Sequence, residues 1–131
     1  MHGENTAMAA PPEALQQEIR RPIDLEHLSR QTLRDPGLEQ EVLRLFDQMS
    51  HVYFGRLESS TTIEELLRNL HTIKGAAAGI GAFGLADLAR VAERELREGA
   101  AVNPERIEDL ALAVAEVSAF IAERLDQADA A

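Results

Sequence analysis

The chain has 131 residues, room for one domain, and no cysteine, which excludes a disulfide framework and a thiolate metal site. Its formal charge is −10 at pH 7, so the backbone of a nucleic acid would repel it. Aromatic residues are scarce, with no Trp, one Tyr and four Phe, while Ala, Leu, Glu and Arg abound; this mixture favours helices packed through small side chains over a sandwich or barrel.

In chain order, residues 1–21 mix Gly, Asn, Pro-Pro and Ala without a sustained stripe. They read as a flexible N-terminal arm with a short helical turn near Ala14–Ile19. Asp24 is placed to cap a first helix, with Ile23 and Leu28 at the spacing of a hydrophobic staple. That helix is short and ends near Leu33, before Asp35-Pro36-Gly37. A second helix is expected from about Gly37 to Leu57, with Val42, Leu45, Phe46, Met49, Tyr53 and Leu57 as its apolar stripe. Thr61-x-x-Glu64 has the form of a capping box opening a third helix, which ends near Ile80 with Gly81 in a left-handed C′ position.

A fourth helix follows from about Gly84 to Glu98, turning Leu85, Leu88, Ala92 and Leu96 inward, and Gly99 stops it. Asn103-Pro104 restarts the chain as cap and first helical residue of a fifth helix running to about Gln127, with Asp126 to Ala131 fraying. Its stripe is Ile107, Leu110, Val114, Val117, Ile121 and Leu125. Four long amphipathic helices with short connections make an all-α chain. The expected architecture is an antiparallel up-and-down four-helix bundle over residues 22–127, with the short extra N-terminal helix as a lid. No apolar run approaches the roughly 20 residues of a membrane span. The start of the sequence shows neither a basic nor an apolar segment, so a cytoplasmic location is expected.

The third helix carries the candidate site. Ile63, Leu66, Leu70, Ile73, Ala77 and Ile80 form one apolar stripe, and His71 points just off it. Lys74 projects from the same side, and it is the only lysine among thirteen basic residues. Gly75 inside a helix costs roughly 0.5–1 kcal/mol relative to Ala, which calls for a reason: a Cβ there would obstruct something approaching the imidazole. A bare, exposed imidazole beside one compact ammonium reads as a phosphate-accepting histidine. His2, His27 and His51 show no metal-ligand spacing and read as surface or core-edge residues.

His71-x-x-Lys74-Gly75-Ala76-Ala77, then Gly81, Leu85, Leu88 and Glu93, resemble the signature of histidine-containing phosphotransfer (HPt) domains, most densely from Leu67 to Leu96. Many members have Ser where this chain has Ala76. The resemblance implies a stand-alone carrier in a multistep two-component phosphorelay. Such a carrier takes a phosphoryl group on His71 from a receiver-domain aspartate and passes it to another. The implied partners are response-regulator receiver domains and a hybrid histidine kinase, with Mg²⁺ on the receiver, no cofactor or metal on this chain, and a monomer as the working form.

Attack through Nε2 needs an acceptor for the Nδ1 proton, and Glu93 is the candidate, since the family commonly has Glu or Gln at that distance from the histidine. The plainer reading of Glu93, a solvated residue paired with Arg90 or Arg97, stays open. Lys74 would attract the phosphoryl group, and Gly75 would admit the partner's loops. Leu67, Arg68, Thr72, Gly75 and Ala78 would form the docking surface. No Gly-x-x-x-x-Gly-Lys loop exists, and Gly79-Ile80-Gly81 follows no strand, so phosphorylation from ATP is not expected. The competing function is a non-catalytic helical-bundle adaptor that binds signalling partners through its Gly/Ala-rich face, with His71 incidental.

Overall fold

The computed structural model describes residues 21–130; apart from Arg21, the expected arm, its helical turn and His2 lie outside the described residues. Every regular element among these residues is a helix: α1 Leu25–Gln31, α2 Pro36–Glu58, α3 Ile63–Ile80, α4 Phe83–Arg97 and α5 Pro104–Ala130. The long helices touch in a closed ring, α2 with α3 and α5, α4 with α3 and α5, and α1 rests on α3. The most extensive seam joins α3 to α4. Small side chains permit it: Ala77, Ala82, Ala86, Ala89 and Ala92 are all buried.

Caps set the helix ends. Asp24 accepts from His27 N, and the flanking Ile23 and Leu28 are fully buried as the staple requires. Asp35 accepts from Gly37 N and Leu38 N, so Asp35-Pro36 starts α2 rather than merely ending α1. The α3 cap falls one residue later than the sequence suggests. Thr62, in extended backbone, accepts from Glu65 N, while Thr61 stays outside. Asn103 caps α5 through Glu105 N. The helix then continues through Asp126 to Ala130, where fraying was expected.

Three helix exits share one hydrogen-bond pattern. Ala82 N reaches Ala77 O around Gly81, Ala100 N reaches Glu95 O around Gly99, and Arg34 N reaches Ser29 O around Leu33. The pivots at Gly81 and Gly99 have φ of 89° and 92°. At the α1 exit the pivot is Leu33, with φ 55°, followed by Arg34 at 57°. Nothing in a leucine announces such a turn.

Gly81 also anchors α1. Asp24 N donates to Gly81 O at 2.9 Å, and a Cβ on Gly81 would stand 2.8 Å from Asp24 O. His27 packs edge-on against Phe83 and brings Nε2 to 3.2 Å from Gly79 O. The short helix is thereby fastened over the C-terminal end of α3.

Two expected core residues are not in the core. Leu45 is 65% exposed, and the inward arc of α2 runs through Leu43, Phe46, Ser50 and Leu57 instead. Leu45 belongs to a second apolar line that lies off that arc. Ile63 is 45% exposed because it is the first residue of α3, ahead of the point where the helix enters the core. Leu66, Leu70, Ile73, Ala77 and Ile80 are buried as the stripe predicts. Two bidentate ion pairs tie α5 to the rest: Arg106 to Glu95 of α4, both bonds 2.9 Å, and Arg124 to Glu39 of α2 at 2.8 and 3.2 Å.

Candidate functional site

His71 stands midway along α3, on the face turned away from the core, with 67% of its side chain exposed. One turn on, a Cβ added to Gly75 would meet nothing within 4 Å. No packing among the described residues therefore demands the glycine, and the space it leaves lies on the solvent side. Lys74 leans the other way, toward α4, and is half-buried.

Glu93 is the residue at which α4 meets this face. Its side chain is only 6% exposed, and both oxygens are engaged. Lys74 Nζ donates to Oε1 at 2.7 Å, and Arg97, one turn further along α4, donates to Oε2 at 2.9 Å. His71 Nδ1 lies 3.4 Å from that same Oε2, an ion-pair distance somewhat beyond a tight hydrogen bond. Burial alone would raise the Glu93 carboxyl. The hydrogen bonds and charges of Lys74 and Arg97 outweigh it and hold the group below its ordinary value. A buried carboxylate is thus kept ionised under the rim of an exposed imidazole.

The solvated reading of Glu93 does not hold, since the side chain is buried; its pairing with Arg97 does, and the same carboxylate faces His71. Arg90 takes no part in that pair and reaches Asp87 at 3.5 Å instead. The docking residues share one side of α3, with Arg68 and Gly75 exposed and Leu67, Thr72 and Ala78 half-buried. The Thr72 hydroxyl donates to Arg68 O, within its own helix.

A shallow hollow of about 390 Å³ opens beside the imidazole, lined by His71, Lys74, Arg90, Glu93, Arg94, Arg97 and Glu98. Of its three arginines the sequence offered Arg90 and Arg97 only as partners for Glu93 and Arg94 not at all, although their spacing on α4 puts all three on one face. Of the other histidines, His51 Nε2 lies 3.2 Å from Ser118 Oγ and 3.4 Å from Asp47 Oδ1, joining α2 to α5. Among the described residues, no three His, Cys, Asp or Glu side chains are grouped to hold a metal, and no helix is long and apolar enough to cross a membrane.

No curated protein and no solved structure matches the chain in the comparisons made. The family model of the Hpt domain does match, over residues 37–130, which spans α2 to α5 and takes in both His71 and Glu93. With most of its length matched, and with an all-helical fold that displays His71 on a helix face, the chain belongs to the Hpt domain family.

Proposed function

We propose that His71 is the phosphoacceptor of a phosphorelay, taking its phosphoryl group from the aspartyl phosphate of one receiver domain and giving it to the aspartate of another. Hpt domains are phosphocarrier modules rather than kinases, and they work with receiver domains and histidine kinases. The observation that carries the reading is the pairing of a 67% exposed imidazole with a buried, ionised carboxylate 3.4 Å from its Nδ1. A proton on Nδ1 then faces Glu93, and Nε2, across the ring, presents its lone pair to a partner.

In the transfer, the N–P bond forms at Nε2 as the P–O bond to the receiver's aspartate breaks. The carboxylate leaves with that bond's electron pair. Nδ1 keeps its proton, so the ring becomes a phosphoimidazolium whose positive charge lies against Glu93. Handing on reverses these steps on a second aspartate. Lys74 supplies positive charge beside the dianionic phosphoryl group, and Gly75 leaves room for the receiver's loops. Mg²⁺ belongs to the receiver.

The ring of helix contacts and the two-residue link between α3 and α4 support an antiparallel up-and-down bundle as the scaffold. One phosphoacceptor per chain suits a monomeric carrier that meets its partners in turn.

Incubation with a phosphorylated receiver, followed by mass measurement of the α3 peptide, tests the reading. An acid-labile phosphoryl group on His71, absent from His71→Gln, is the expected result. Receiver binding without any label would instead favour a non-catalytic adaptor.

A further inference from the structure

We propose that Arg90 and Arg94 form a cationic ledge that draws the acidic rim of the incoming receiver onto the α4 side of His71. The inference rests on the reading of His71 as phosphoacceptor and assigns the electrostatic part of that encounter to two further residues.

The chain as a whole carries a formal charge of −10. The receiver surface it must meet is also anionic: an acceptor aspartate, the carboxylates that hold its Mg²⁺, and a dianionic phosphoryl group. Two such bodies repel each other unless the approach path is locally of opposite sign. The hollow at His71 has that sign, with Lys74, Arg90, Arg94 and Arg97 against Glu93 and Glu98. Screening over about 10 Å at 0.1 M salt lets such a patch outweigh carboxylates on distant faces.

Within the hollow the cations differ. Lys74 and Arg97 are committed to the buried Glu93 at 2.7 and 2.9 Å. Among the described residues, Arg90 and Arg94 have only loose, solvated partners, Asp87 at 3.5 Å and Glu98 at 3.8 Å, which are 71% and 68% exposed. Exposed pairs of this kind contribute little and exchange readily. The two arginine side chains are themselves 52% and 59% exposed. Each is free to leave its carboxylate for a bidentate bond to one on the receiver.

The test compares the parent with the double variant Arg90→Glu, Arg94→Glu, using a purified receiver that has been phosphorylated with acetyl phosphate and that donates to the parent. Phosphoramidate serves as a small donor that needs no docking. A second double variant, Arg30→Glu, Arg34→Glu, changes the net charge equally on the exposed surface of α1 and its exit turn. At about 20 mM salt the α4 variant should accept from the receiver on the order of tenfold more slowly than the parent, with the gap closing toward about 0.5 M. Its labelling by phosphoramidate, a small anion with no surface to dock, should fall far less than its transfer from the receiver, and the α1 variant should lose far less in that transfer.

Equal receiver transfer by the α4 variant, or equal loss in the α1 variant, overturns the ledge and leaves His71 as acceptor. A parent that takes no label on His71 from either donor overturns both.

Discussion

Lys74 and Glu93 meet at 2.7 Å across the seam between α3 and α4, directly beside the imidazole of His71. The pair closes the small-residue seam with opposite charges and keeps the carboxylate ionised next to the ring. One contact thus serves both the packing of two helices and the electrostatics of the site.

The pH dependence of stability follows from it. Glu93 is held below its ordinary 4.5 in the folded chain, so its contribution is fully present above that value and is lost as pH falls through the lower folded value. Glu93→Gln should unfold at lower denaturant than the parent at pH 7, by about 1.5–3 kcal/mol, the range for hydrogen bonds to a charged group. Urea titrations from pH 7 to strongly acidic conditions should show the two proteins converging. A gap that stays constant into acid would rule out the ionised carboxylate as its source.

Two glycines should respond in opposite ways. Gly75→Ala fills open space on a helix and should stabilise the chain by roughly 0.5–1 kcal/mol, while a bulkier Gly75→Leu slows transfer from a receiver and leaves labelling by phosphoramidate unchanged. Gly81→Ala puts a Cβ 2.8 Å from Asp24 O at φ 89° and should destabilise by about 1–3 kcal/mol. Thermal denaturation separates these outcomes. Equal losses at both positions would contradict the placement of Gly75 on an open face.

On α2, Leu43→Ala should cost about 2–5 kcal/mol, because Leu43 is fully buried. Leu45→Gln should change stability by less than about 0.5 kcal/mol, since Leu45 is 65% exposed. Chemical denaturation of both variants checks the rotation of this helix. A large loss at Leu45 would mean that a different arc faces the core.

The turn after α1 holds Leu33 at φ 55° with its side chain 81% exposed. The left-handed region costs a non-glycine residue about 1–2 kcal/mol, partly offset for glycine by the entropy of its unfolded state. Leu33→Gly should therefore raise stability by up to about 1 kcal/mol, read as a higher melting temperature. A decrease would show that Leu33 makes apolar contacts worth more than the strain.

The order of the helices and the alignment of His71, Lys74 and Gly75 on α3 were legible in the sequence, because helical period and capping chemistry are local. Glu93 entered through its place at the edge of the α4 stripe together with family resemblance, since no local rule alone brings α4 to α3 at that register. Only the tertiary structure decided that this carboxylate is buried, that Lys74 and Arg97 share it, and that Arg90 and Arg94 remain on the open rim. It likewise turned Leu45 outward and seated Leu43 in the core. Periodicity orders side chains around a single helix, but the stripe read on α2 took in Leu45 and left out Leu43. Which arc is covered depends on where the neighbouring helices lie, and that is set by packing between residues far apart in the chain.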